Sequence, residues 1–341
     1  MGLKLDAVIS AVNSKAKEDI ITYGMSTFKY DRVPFTSPRM NYVTYGGLAL
    51  GRIVEFWGEE GGGKTTSALD IVANYQNMFP DKDILYIDAE NTLDVEWATK
   101  LNVDTSKLIV FQPKTQSAED VFNVIYDAVC TGEVGLWVLD SVAALESQQA
   151  WDKDIGEKTY GGISQPLAQF AKKMIGVMMK YQCLGIAINQ IRENLNSPYG
   201  GVKTPGGHAW LHFCSTRIQF SKGKYFDEKG ADIARSSGEP AGNYVMANMN
   251  KTKTSKPTRH LGQYRIRYDI GIDYLADLID VAILDNIIVQ KGAWFTIVDT
   301  ETGEVIKDKI QGQSNVRKVL DEEIDVLKRV EELVDKSAET D

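Results

Sequence analysis

One nine-residue stretch limits the folds open to this 341-residue chain more than any other. Gly58-Glu59-Glu60-Gly61-Gly62-Gly63-Lys64-Thr65-Thr66 fits Gly-x-x-x-x-Gly-Lys-[Ser/Thr]; it follows the apolar run Ile53-Val54-Glu55-Phe56-Trp57 and leads into Ser67-Ala68-Leu69-Asp70-Ile71-Val72. A strand, a glycine turn and a helix in that order bring free backbone N–H groups and a helix N-terminus around one small volume, which favours phosphate. Lys64 is then expected to reach the β- and γ-phosphates, and Thr65 to offer its hydroxyl to Mg²⁺. The pattern reads as a nucleoside triphosphate site and requires an α/β fold around it.

Bulk properties narrow the class further. A net charge of −9 argues against a surface that coats nucleic acid everywhere, but it permits local basic grooves. The three cysteines, Cys130, Cys183 and Cys214, show no Cys-x-x-Cys spacing, so neither a disulfide framework nor a zinc site is expected, and a reducing cytoplasm fits. No apolar run reaches the length of a membrane span, and Met1 to Asp6 lacks the apolar stretch of a signal peptide. The expectation is a soluble cytoplasmic protein with no membrane partner.

Leu5, Val8, Ile9 and Val12 recur at helical spacing, predicting an N-terminal amphipathic helix. It either lies on its own core or serves as a docking arm for a neighbouring subunit. Short apolar runs then alternate with helical stretches, as a mostly parallel sheet requires. The strand candidates are Ile53–Trp57, Ile84–Ile87, Leu108–Phe111, Gly135–Leu139, Leu184–Ile188 and Thr216–Phe220. Past Ile270 a helix over 274–282 and a hairpin around 293–303 predict a small α+β module. The last residues hold nine acids and three bases from Asp321 on, with no glycine, proline or aromatic residue, and read as a solvated helix fraying into a tail. The expected divisions are 1–33 (helix and oligomerisation arm), 34–270 (ATPase core), 271–320 (small C-terminal domain) and 321–341 (acidic helix or tail).

Three strand ends carry the chemistry. Asp88-Ala89-Glu90 sets two carboxylates at the C-terminal edge of a buried strand, where ligands of open α/β sheets bind; Glu90 is the better candidate for polarising a water aimed at the γ-phosphate. Asp140, after Gly135-Leu136-Trp137-Val138-Leu139, has the form of a Walker B acid that holds Mg²⁺ through water or through Thr65. Asn189-Gln190-Ile191-Arg192 places an amide donor at the same edge. Two glycine-bearing segments, 154–162 and 193–207, leave this edge, which points to a second ligand beside the nucleotide.

Gly58–Thr66, Asp88-Ala89-Glu90 with Leu93-Asp94, Leu139 to Leu145, Asn189-Gln190-Ile191-Arg192 and Gly206-Gly207 occur in the order and spacing of RecA-type recombinases. From about Gly46 to Gln313 the chain resembles that family, its bacteriophage branch included. The resemblance implies a RecA-type P-loop ATPase core with a central mostly parallel sheet. It assigns catalysis to Glu90 and Lys64, with Gln190 linking the γ-phosphate to the DNA loops. It puts Trp97 on the adenine face in place of a tyrosine, Asp94 on the base, and Lys251 and Lys253 across the subunit interface on a neighbour's ATP; read without it, that pair is a solvated basic hairpin. DNA contacts are implied for Lys158, Tyr160, Gly161 and Gly162 in the first loop. In and after the second they fall on Arg192, Asn194, Tyr199, Lys203, Gly206 and Gly207. Gln165 departs from a family arginine, and Leu211-His212 from a lysine-phenylalanine pair.

Six Lys or Arg and no acid lie between Lys251 and Arg267, so a basic groove with an acidic tail reconciles DNA binding with the net charge. The resemblance implies a DNA-dependent ATPase that uses ATP and Mg²⁺, forms a helical filament on single-stranded DNA and exchanges strands with a homologous duplex, in a bacterial cell or phage-infected host. A single-strand-binding protein and loading mediators are candidate partners. A hexameric RecA-fold helicase or motor is the rival reading, and a non-catalytic mediator is disfavoured by the intact Lys64, Glu90 and Asp140.

Overall fold

The computed structural model describes residues 2–17, 30–154, 157, 162–193, 202–228, 230–234, 236 and 238–339. Residues 1–31 and 32–341 form separate compact units. In the first, helix α1 (Gly2–Ala16) forms where the spacing of Leu5, Val8, Ile9 and Val12 predicts it.

The second unit is built on a central sheet. Its strands are β1 (Ile53–Gly58), β2 (Asp83–Asp88), β3 (Leu108–Phe111), β4 (Val134–Asp140), β5 (Leu184–Gln190), β6 (Thr216–Phe226), β7 (Gly242–Thr252), β8 (Leu261–Arg267) and β9 (Gly271–Ile272). The spatial order is β9-β8-β7-β6-β1-β5-β4-β2-β3, with the short strand Asp232–Ile233 paired to β6. From β6 to β3 every pair is parallel. Beyond β6 the strands β7, β8 and β9 are antiparallel. All six expected strands are present, and β1 sits mid-sheet between β5 and β6.

Helices cover both faces, and successive strand residues alternate between them. Val54, Phe56, Tyr86, Val138 and Ile186 pack with Leu69, Ile71 and Val72 of α3 (Lys64–Met78). On the other face Leu85, Ile87, Trp137, Leu139 and Ala187 pack with α5 (Ala118–Cys130) and α7 (Ser164–Tyr181). The shorter helices are α2 (Pro38–Thr44), α4 (Val95–Lys100), α6 (Gln148–Trp151) and α8 (Gly207–Phe213). This doubly covered sheet explains the near-continuous apolar runs of β1, β2, β4 and β5.

The C-terminal module contains α9 (Tyr274–Leu284), strands β10 (Ile288–Lys291), β11 (Trp294–Val298) and β12 (Val305–Gln311), then α10 (Gln313–Glu322) and α11 (Ile324–Glu339). One finding here corrects the sequence reading. The helix expected after Asp321 is present but is not merely solvated: α10 runs through position 321, and α11 buries Val330, Leu333 and Val334 against Leu278, Ile288, Phe295 and Ile310. Acids crowd the outer face of α11, while its apolar residues recur at i, i+3 and i+4 and supply a packing stripe. Among the described residues no helix is long and apolar enough to cross a membrane.

Candidate functional site

The loop after β1 folds as its glycines require. A Cβ on Gly58 (φ +146°) would stand 2.0 Å from the Phe220 carbonyl oxygen of neighbouring β6. Gly63 is the N-cap of α3 at φ +95° and leaves that helix end with no side-chain cap. Uncapped N–H groups are what an incoming phosphate replaces water on. Lys64, only 7 % exposed, folds its ammonium over the loop and donates to the carbonyls of Gly58 (3.1 Å) and Glu59 (2.6 Å). Burial pulls its pKa down, and the Asp140 and Glu90 carboxylates oppose that shift. An anion entering the loop would compensate the desolvated charge.

Thr65, the next residue, donates its hydroxyl to Asp140 Oδ2 at 2.8 Å, and Tyr86 donates to the same oxygen at 3.0 Å. Burial raises the pKa of Asp140, and the two hydroxyl donors hold it back. A hydroxyl and one carboxylate, open on the phosphate side, suit Mg²⁺, which takes few protein oxygens and completes its shell with water and phosphate. Among the described residues there is no cluster of three or more His, Cys, Asp or Glu that would form a protein cage instead.

The two carboxylates after β2 have separate surroundings. Asp88 is buried and ties its own turn, accepting from the backbone N–H groups of Thr92 (2.9 Å) and Leu93 (3.3 Å) and from Gln112 Nε2 (3.0 Å). Glu90 is held at the edge of the site, accepting from the Ser141 hydroxyl and from Gln190 Nε2 at 2.7 Å. Gln190 in turn accepts from Arg192 Nη1 at 2.9 Å, so three side chains lead away from the phosphate loop. They end on a short hairpin: Arg192–Glu193 pairs antiparallel with Val202–Lys203, with Arg192 opposite Lys203. A stretch expected to be loop is thus stemmed. Like charges face each other across the stem, an arrangement that disfavours the free hairpin and favours a bound anion.

A cavity of about 400 Å³ opens beside the loop, lined by Gly61, Gly62, Gly63, Lys64, Thr65, Thr66 and Trp97, with Lys222, Asn243, Ile266 and Tyr268 on the far wall. Trp97 donates its indole N–H to Thr66 Oγ1 at 3.1 Å. Tyr268 donates its hydroxyl to Asn243 Oδ1 at 2.9 Å. The far wall escaped the sequence reading because it comes from β6, β7 and the end of β8, and no motif marks it.

Other expected residues stand elsewhere. Asp94 does not line the cavity; its carboxylate caps α4 through the Trp97 N–H at 3.0 Å. Glu59 and Glu60 are exposed and line no part of it. Lys251 and Lys253 are remote from this loop along the sheet: both donate to the His212 carbonyl (3.2 and 2.6 Å), and Lys251 also to that of Leu211, at the C-terminal end of α8. They are therefore engaged cations and no free basic hairpin, and burial lowers the pKa of Lys251. Gly206 (φ +112°) begins α8, where a Cβ would meet Leu167 at 2.7 Å, so close packing accounts for its glycine. Gly207 follows at φ +70°, and Gly162 has open space around it at φ +47°. Lys158, Tyr160, Gly161, Asn194 and Tyr199 lie outside the described residues.

Comparison with known proteins agrees with this arrangement. The RecA N-terminal domain matches residues 4–273 and the RecA C-terminal domain residues 276–339. Protein RecA of Clostridium acetobutylicum is 33% identical over 287 residues, covering 84% of this chain and 76% of that protein. Protein RecA of Clostridioides difficile is 33% identical over 291 residues, 85% of this chain and 78% of its own. Protein RecA of Acidothermus cellulolyticus is 33% identical over 290 residues, with 85% and 78% covered. With both domain matches, the phosphate loop on β1 and the antiparallel extension of the sheet in one chain, this protein belongs to the RecA family.

Proposed function

We propose that this protein is a DNA-dependent ATPase that assembles as a helical filament on single-stranded DNA, pairs it with a homologous duplex and exchanges strands. The observation that carries the reading is the hydrogen-bonded run from Glu90, whose charge acts on Lys64 of the phosphate loop, through Gln190 to Arg192 on an exposed stem. Glu90 polarises a water in line with the γ-phosphate, Lys64 and the loop N–H groups take up its charge, and Gln190 is shifted when that phosphate is present. Thr65 and Asp140 hold Mg²⁺, which neutralises phosphate charge when bound. The adenine stacks on Trp97, an aromatic face larger than a tyrosine's.

Arg192 and Lys203 contact phosphate, and the loops flanked by Gly162 and Gly206-Gly207, with Lys158, Tyr160, Gly161, Asn194 and Tyr199, hold the strand. Sequence preference is negligible because base pairing reads homology. Lys251 and Lys253 act on the neighbouring subunit's ATP, and residues 1–33 join one subunit to the next. The protein works in the cytoplasm of a bacterium or phage-infected cell, beside a single-strand-binding protein and loaders. Strand exchange between circular single-stranded and linear duplex DNA tests the reading, with Lys64→Ala as the control. Joint molecules should form with ATP and Mg²⁺ in the wild type alone. Good ATPase activity without joint molecules would defeat it, and closed rings in electron micrographs would favour the helicase rival.

A further inference from the structure

Glu55 lies on β1, three residues before Gly58, fully buried, and donors from three other elements converge on its carboxylate. Asn189 Nδ2 of β5 and the Trp210 indole Nε1 of α8 each donate to Oε1 at 2.8 Å, and the Arg217 guanidinium of β6 donates to Oε2. All three donors flank the hairpin that carries Arg192 and Lys203. Asn189 directly precedes Gln190, and its amide also binds the Pro205 carbonyl at 2.9 Å. Arg217 reaches Thr204 Oγ1 at 3.4 Å. Trp210 sits on the helix that follows the hairpin, and Lys251 and Lys253 hold the far end of that helix.

The entry and the exit of one hairpin are thus fastened to a single carboxylate on the strand that delivers the phosphate loop. An apolar residue would fill β1 at a lower desolvation cost than a buried carboxylate, which is tolerated only when fully paired. Its partners make it an alignment device. We propose that Glu55 is a positioning residue that transmits nucleotide occupancy of the phosphate loop to the stem formed by Arg192–Glu193 and Val202–Lys203, and thereby sets DNA affinity. The inference rests on the recombinase reading above.

The test uses the full chain and the variant Glu55→Gln, in which the amide oxygen still serves Asn189 and Trp210 while the amide N–H₂ confronts Arg217. Three quantities are read: affinity for a fluorescent ATP analogue, turnover without DNA, and binding of labelled oligo(dT) with no nucleotide, ADP or ATPγS. The first two should match the wild type. The tightening of DNA binding by ATPγS should shrink about tenfold, within the usual range of coupling between sites. Full tightening in Glu55→Gln overturns the proposal, and so does a parallel loss of nucleotide affinity, which would mark Glu55 as mere architecture of the pocket. Should Glu55→Gln not fold, Trp210→Phe decides: it removes one donor, must weaken the tightening, and refutes the role of Glu55 if it does not. A wild type that binds DNA equally with and without ATPγS removes the recombinase reading itself, and this inference with it.

Discussion

Gln190 donates its side-chain amide to the Glu90 carboxylate across 2.7 Å, joining two strand ends that are 100 positions apart in the chain. The contact exists because β2 and β5 end at the same sheet edge with β4 between them. Glu90→Gln keeps an acceptor for Gln190 and removes the charge that polarises water. The expected result is a fall in turnover of roughly 10²- to 10⁴-fold with ATP binding retained. Phosphate release and analogue titration measure the two separately; turnover within a factor of two of wild type would remove Glu90 from catalysis.

Arg192 connects the same contact to the hairpin stem, and its guanidinium is exposed next to Lys203. If it neutralises one backbone phosphate, Arg192→Ala weakens oligo(dT) binding and lowers the slope of log affinity against log salt by about 0.7, the single-strand value for one contact. The loss should be equal on mixed-sequence DNA, since the phosphate carries no sequence. An unchanged salt slope would show that Arg192 serves only to orient Gln190.

The sheet and the phosphate site were legible in the sequence because both rest on local patterns. The runs of β1, β2, β4 and β5 announce doubly buried strands, and the glycines before Lys64 announce a tight turn, in which the Phe220 carbonyl leaves no room for a Cβ at Gly58. What stayed hidden depends on distant pairing. Lys222, Asn243 and Tyr268 share a cavity with Trp97 only because β6, β7 and β8 extend the sheet beyond β1. Glu55 reads as a single polar break in an apolar run until Asn189, Trp210 and Arg217 are brought to it. The helix-capping role of Asp94 likewise shows only in the fold, where its carboxylate accepts from the Trp97 N–H at the start of α4.

Reading the acidic C-terminal helix as solvated missed the stripe of Val330, Leu333 and Val334, which are 4 % exposed or less. Truncation after Val319, a direct way to ask whether the acidic end tempers duplex capture, strips the module of Leu320 and all of α11, so any change would report lost packing as well as lost charge. A cleaner separation compares Leu333→Ala with neutralisation of exposed acids on the same helix. Leu333→Ala should cost about 2–5 kcal/mol, as a buried leucine does, and lower the melting temperature of the full chain. Glu331 is a poor choice for the neutralised set because it accepts from the Tyr274 hydroxyl, whereas Asp325, exposed in the first turn of α11, suits it. Leu333→Ala as stable as wild type in chemical unfolding would mean that α11 contributes no core.

The seam between α2 and α9 gives the protein a pH dependence of defined sign. Asp277 of α9 is buried and accepts from the Ser37 hydroxyl and, at 3.1 Å, from the Arg39 backbone N–H. Burial is the larger influence and pushes its pKa from 3.8 up to about 7; Asp280 adds to the rise, while the two hydrogen bonds and the Arg39 charge oppose it. Asp70 on α3 shifts the same way, to about 6, again through burial. A carboxyl whose pKa is raised by folding contributes stability that is fully present below the unfolded value near 4 and is lost as pH rises through the folded value, at about 1.4 kcal/mol per pH unit between the two. The melting temperature should therefore decline from pH 5 to pH 7.5 at constant ionic strength. Asp277→Asn retains an acceptor for Ser37 and Arg39 without a titratable proton, so the variant should be the more stable at pH 7.5 and its advantage should shrink toward pH 5. Parallel melting curves for the two proteins across that range would mean that Asp277 does not change its ionisation on folding.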